Sequence, residues 1–212
     1  FDLDGTLVDS VPDLARCVNA ALRAVRGEPA SEAVVRGWVG NGAARLLHRA
    51  LTGQSDGVAP ADRHAVAMQV FNAAYGEEPC RDSRLYPGVA GGLARLRTLG
   101  LRLAVVTNKP ERFIGPLLTA LGVAEHFDAW VGGDTTTRLK PDPLPVLRAL
   151  TRVDCSSADA LLVGDSRIDM AAGAAAGVAT VAVSYGYDAG CDFRALGAVA
   201  VVDEIGDLVA LW

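Results

Sequence analysis

The sequence predicts an α/β fold: a Rossmann-like, doubly wound parallel sheet as core, with an inserted all-helical cap domain. Two observations carry this. Short apolar runs alternate with helix-spaced patterns along most of the chain, the signature of a parallel sheet covered on both faces. Between residues 11 and 84 the alternation stops, and apolar residues recur at helical spacing alone. Composition agrees: 50% of the 212 residues are apolar and 21% charged, enough for a packed core and too apolar for a disordered chain.

Residues 1–4 read as the first strand. A buried strand usually runs about 5 residues, so a few apolar residues are expected ahead of Phe1. Leu14, Val18, Ala21, Leu22 and Val25 then line one helical face. Gly27-Glu28-Pro29, Gly40-Asn41-Gly42, the stretch 53–57 and Gly76-Glu77-Glu78-Pro79 separate four or so helices. Further helices are expected over 89–99 and 112–121. Strands are expected over 101–106, 129–131, 160–163, 179–183 and 198–202, each an apolar run bounded by Gly, Asp or Asn. The core domain is therefore 1–10 with 85–212, and the cap 11–84.

The net charge of −5 repels phosphate backbones and anionic lipid, so neither nucleic acid nor a membrane surface is expected as a partner. The uncharged stretch 170–187 is mostly Ala and Gly. It reads as a small-residue helix packed on a sheet and a buried strand, not as a membrane span. Cys17, Cys80, Cys155 and Cys191 lie far apart with no CxxC pair, which argues against zinc and for reduced thiols in a cytoplasm. Gly40-Asn41-Gly42 lacks the third glycine of a dinucleotide fingerprint. His48, His64 and His126 have no ligand spacing, and Trp38 is expected to pack within the cap.

The residues that carry chemistry fall at strand ends. Asp2 and Asp4 stand two apart, so strand alternation aims both carboxylates to one side, and Gly5 permits the turn that follows. An apolar run ending in Gly164-Asp165 is followed four residues on by Asp169. Acids from two strand ends meet where open parallel sheets bind ligands, and such a set of oxygens suits Mg²⁺. Thr107, at the end of the second run, offers a hydroxyl and an adjacent N–H for a phosphoryl oxygen. The basic residues number 20, yet only Lys109 and Lys140 are lysines. A site that holds one compact ammonium among crowded anions keeps Lys where Arg would otherwise do.

The set Asp2-x-Asp4-Gly5-Thr6, Val106-Thr107-Asn108-Lys109, Lys140-Pro141 and Gly164-Asp165-Ser166-x-x-Asp169 resembles the four motifs of the haloacid dehalogenase-like hydrolase superfamily. The helical insertion resembles that family's type 1 cap. Asp9-Ser10-Val11-Pro12-Asp13-Leu14, Trp38-Val39-Gly40-Asn41-Gly42, Tyr86-Pro87-Gly88-Val89, Gly132-Gly133-Asp134 and Tyr185-Gly186-Tyr187 are similar to its bacterial phosphoglycolate phosphatase branch. The resemblance implies Asp2 as nucleophile and Asp4 as general acid and base. It implies Mg²⁺ on Asp2, Asp165 and the Asp4 carbonyl with Asp169 supporting, and a phosphoryl group on Thr107 and Lys140. Asn108, Asn41, Gly42 and Arg45 are expected around the rest of a small phosphorylated metabolite. A monomer or homodimer is expected. Asp4 favours a phosphatase over a dehalogenase, because an alkoxide leaving group needs a proton and a halide does not. Another small phosphomonoester as substrate and a hexose-phosphate mutase remain alternatives. A non-catalytic binding protein would lack one of the acids, and none is missing.

Overall fold

The computed structural model describes residues 1–211. Its core sheet is parallel. Strand β3 (Ala104–Val106) pairs with β4 (Ala129–Val131), and β5 (Leu161–Gly164) with β6 (Ala179–Val183), which pairs with β7 (Ala200–Val202). The opening residues join these two groups. Phe1 N donates to the Ala104 carbonyl at 2.7 Å, Val106 N to the Phe1 carbonyl at 2.7 Å, and Asp2 N to the Val163 carbonyl at 2.8 Å. The segment expected as the first strand thus lies between the two groups, held by these bonds without forming a regular strand. Asp2, Thr107 and Asp165 leave the sheet side by side at its carboxyl edge.

Helices α5 (Val89–Thr98), α6 (Ile114–Ala120), α7 (Leu144–Arg152) and α8 (Arg167–Ala176) cover the sheet. Leu3, Leu7, Leu93, Ile114, Leu117 and Val163 are fully or almost fully buried in the main core. Cutting back any of these leucines to Ala costs about 2–5 kcal/mol. Helix α8 is the small-residue helix expected from the sequence. A Cβ at Gly173 would collide with the Thr180 side chain on β6, so glycine sets how closely helix and strand approach.

The cap consists of α1 (Val11–Ala24), α2 (Glu32–Arg36), α3 (Gly42–Thr52) and α4 (Ala61–Glu77). Leu14, Val18, Ala21 and Leu22 face Leu47, Ala67, Phe71 and Tyr75 in a core of the cap's own, and Trp38 packs against it. Phe113 from the core domain enters the same cluster, so cap and core share apolar surface.

The sequence reading did not anticipate two short strands. Val8–Asp9 (β1) pairs antiparallel with Arg84–Leu85 (β2), forming a two-stranded gate where the chain leaves and re-enters the core. The expected domain boundary at 84/85 runs through β2. Two-residue strands leave no period to detect, because their order comes from the partner strand rather than from their own pattern. Asp13 locks this gate. Its buried carboxylate accepts from Asp82 N at 3.0 Å, Ser83 N at 2.8 Å and Ser83 Oγ at 2.7 Å. Among the described residues no helix is long and apolar enough to cross a membrane.

Candidate active site

A cleft of about 360 Å³ opens between the sheet's carboxyl edge and the cap. Asp2, Asp4, Thr107, Asn108, Lys140, Asp165 and Asp169 all line it, as do Asn41 and Gly42 from the cap. Those predicted positions, separated by up to 167 residues, are brought to one place.

Asp2, Asp165 and Asp169 bring carboxylate oxygens within 4.8 Å of one another. Like charges at that spacing repel by roughly 3–4 kcal/mol per pair at an effective dielectric near 20. One cation offsets part of this. Lys140 Nζ donates to Asp2 Oδ1 at 2.8 Å, Asp169 Oδ1 at 2.7 Å and the Val106 carbonyl at 2.6 Å, so all three of its hydrogens are used. Burial works against this ammonium, but Asp169 and Asp2 outweigh it and hold its pKa above the ordinary lysine range. Burial pushes Asp2 up to about 6 despite Lys140, with Asp169 adding to the rise. Burial, then Asp2 and Asp169, raise Asp165 well above the carboxylate range.

Local structure fixes each acid. Thr6 Oγ1 donates to Asp165 Oδ1 at 2.9 Å and Tyr187 N to Oδ2 at 2.8 Å. Gly5 adopts φ +99°, and a Cβ there would strike the Asp165 carboxylate, so the turn after Asp4 needs glycine on both counts. Asp169 sits in the first turn of α8, and its Oδ2 accepts from Ser166 Oγ at 2.7 Å and Ser166 N at 3.2 Å. It therefore caps the helix and pairs with Lys140 at once. Three carboxylates sharing one ammonium leave an excess negative charge in an all-oxygen donor set, which fits a hard divalent cation such as Mg²⁺.

Asp4 stands apart from this cluster. Lys109 Nζ donates to both its oxygens at 2.9 Å, and Ser10 Oγ donates to Oδ1 at 2.6 Å. Thr107 Oγ1 accepts from Lys109 N at 3.2 Å. Sequence reasoning left Lys109 without a role, although the scarcity of lysine had marked it as strongly as Lys140. Ser10 gave no such signal, because its role depends on where the chain turns after Asp4.

The expected outer residues divide. Asn108 braces backbone: its side chain accepts from Lys140 N at 2.9 Å and donates to the carbonyls of Lys140 at 3.0 Å and Gly40 at 2.9 Å. It thereby ties the cap loop to the Lys140 loop. Asn41 Oδ1 accepts from Arg49 at 2.8 Å. Arg45 lies outside the cleft. Its guanidinium is engaged by the Ser55 and Gly57 carbonyls and by Asp56, because the turn after α3 folds back over that side of the helix. The cap arginines that do line the cleft are Arg36 and Arg49. Arg36 crosses to the core, 3.0 Å from Asp9 and over the Tyr187 ring.

Residues 1–183 match the family model described as haloacid dehalogenase-like hydrolase. The chain is 41% identical over 205 residues to a phosphoglycolate phosphatase of Nitrosococcus oceani, covering 97% of this chain and 91% of that protein. It is 42% identical over 211 residues to phosphoglycolate phosphatase 1 of Pseudomonas aeruginosa, covering 99% of this chain and 77% of that protein. Its fold superposes on the crystal structure of a predicted phosphoglycolate phosphatase from Haemophilus somnus with TM-score 0.91 and 38% identity, over 100% of this chain and 95% of that one. With its acids and lysines gathered at one sheet edge beneath a helical cap, and with that match over most of its length, the chain belongs to the haloacid dehalogenase-like hydrolases.

Proposed function

We propose that this chain is a phosphatase that hydrolyses a small phosphomonoester, 2-phosphoglycolate, through a phosphorylated Asp2. The observation that carries the reading is the pairing of two aspartates with two lysines across one cleft. Asp2 lies with Lys140 inside the three-carboxylate cluster, and Asp4 lies with Lys109 outside it.

A carboxylate is a competent nucleophile toward phosphorus, and phosphoryl transfer asks mainly for positioning and charge neutralisation. Asp2 attacks, Thr107 holds a phosphoryl oxygen while the Lys140 ammonium neutralises charge beside it, and Asp4 gives its proton to the departing alkoxide. Asp4 then takes a proton from the water that frees Asp2 and releases phosphate. Asp2, Asp165 and Asp169, with the Asp4 carbonyl, would hold Mg²⁺, which supplies charge neutralisation for the transferring group. The relatives named phosphoglycolate phosphatase, at 41–42% identity, support the choice of substrate.

The test is phosphate release from a panel of esters by the purified chain with Mg²⁺. 2-Phosphoglycolate is expected to give the highest kcat/KM. A hexose phosphate or nucleotide that outruns it would remove the substrate assignment and leave the phosphatase reading. No release from any ester would remove both.

A further inference from the structure

The cleft wall beyond Asp4 comes largely from the cap and is mostly apolar: Leu14, Leu46, Phe71 and Phe113 line it. Two buried donors interrupt it. Tyr75, on α4, is 1% exposed, and its hydroxyl has no hydrogen-bond partner among the described residues. Lys109 Nζ lies 4.7 Å from the centre of the Tyr75 ring. A lysine ammonium carries three N–H groups. Two of them go to the Asp4 oxygens, and the third has only the neighbouring Tyr75 hydroxyl to turn to.

Buried donors are nearly always paired. A buried hydroxyl without a partner, beside an ammonium with one hydrogen to spare, in a cleft where the other cations are engaged, marks a place for a guest that brings acceptors. Lys140 is saturated by Asp2, Asp169 and Val106. Arg36 is held by Asp9, and Arg49 by the Trp38 and Ser55 carbonyls and Asn41. Arg167 is bound to Asp188.

We propose that Lys109 and Tyr75 form the subsite for a carboxylate on the leaving group, and so set a preference for short acidic phosphomonoesters. The proposal rests on the phosphatase reading above and names the residues that choose its substrate. A carboxylate has acceptors for both donors and a charge for the ammonium. The apolar surround strengthens that contact and penalises a neutral group that would leave the donors unpaired. Lys109 is one hydrogen bond from Asp4, the group assigned to protonate the ester oxygen. The anion recognised there must therefore sit close to that oxygen, as it does in a two-carbon acid. A sugar or nucleoside leaving group brings no anion to this wall.

The test compares 2-phosphoglycolate with 2-hydroxyethyl phosphate, which replaces the carboxylate by a hydroxymethyl group. The readout is the ratio of their kcat/KM values, which cancels any loss acting through Asp4 that both esters share. Lys109→Met is expected to lower this ratio about tenfold or more, and Tyr75→Phe, which removes only the hydroxyl, about threefold or more. Glycolate, as competitive inhibitor of p-nitrophenyl phosphate hydrolysis, is expected to bind both variants more weakly by similar factors. If Lys109→Met fails to fold, Tyr75→Phe decides. A wild-type ratio well above one that both variants leave unchanged overturns the subsite and spares the substrate assignment. A wild-type ratio near one overturns both.

Discussion

The two sides of the cleft hold their aspartates by opposite means. On the Asp2 side three carboxylates share a single ammonium, that of Lys140. On the Asp4 side one carboxylate has an ammonium to itself and a hydroxyl besides. The first arrangement is short of positive charge, the second is balanced. The difference assigns the work. An electron-rich cluster, with Asp2 pushed up to about 6 by burial, is suited to take up a further cation. The balanced pair needs no further cation and holds Asp4 beside the cap. One short segment thus presents two acids with distinct electrostatic surroundings two residues apart.

The sharpest way to break this comparison is to exchange roles at the nucleophile. Asp2→Asn is expected to abolish turnover, by at least about 10³-fold, with the fold retained by circular dichroism. An amide cannot attack, and water cannot take over a reaction routed through Asp2. Retention of several per cent of wild-type kcat would end that assignment.

Asp4→Asn is expected to cost roughly 10²–10⁴-fold on alkyl esters. The loss should shrink for p-nitrophenyl phosphate, whose leaving group needs little protonation. Equal losses on alkyl and aryl esters would argue that Asp4 serves only to hold Lys109.

The charge deficit makes its own prediction. Mg²⁺ at about 100 times its Kd is expected to stabilise the wild type by about 2.7 kcal/mol. That would appear as a rise in Tm that EDTA reverses. Asp165→Asn should lose most of this rise. A Tm indifferent to Mg²⁺ in the wild type would place the balancing cation elsewhere.

Asp13 sharpens the comparison from outside the cleft, since its carboxylate is balanced chiefly by N–H and O–H donors. Burial opposes its ionisation, but the bonds from Ser83, the Asp82 and Ser83 backbone, and Arg16 outweigh that and hold its pKa below the usual value. The native carboxyl therefore binds its proton less readily than the unfolded one. Its contribution is complete above the ordinary carboxylate range and is lost as pH falls through the lower native value. Asp13→Asn is expected to cost about 1–3 kcal/mol in urea unfolding at pH 7. The cost should fall at acid pH; a cost independent of pH would show that packing rather than charge matters there.

The smallest effect is expected at Arg36. Its ion pair with Asp9 is about a third exposed on both sides, which limits it to about 0.2–1 kcal/mol. Arg36→Ala should change Tm little and raise KM modestly if the contact helps seat the cap.

By itself the sequence determined the architecture and marked most of the residues that the structure brings to one cleft. Alternating apolar runs and helix patterns specify a covered parallel sheet, because only that arrangement buries every run. Strand-end acids, Thr107 and the two lysines were legible because chemistry restricts residue type at those points. Even Lys109 was marked, though its partner was not. Tertiary structure alone decided which charges balance which. Asp169 turned toward Lys140 through its place in the first turn of α8, and Lys109 went to Asp4 across 105 residues. Structure also took Arg45 out of the cleft, because the turn at 53–57 offers carbonyls that a helix-face argument cannot foresee. The short gate strands and the unpaired Tyr75 hydroxyl belong to the same class. Each depends on what a distant segment presents, and pairing across space has no period along the chain.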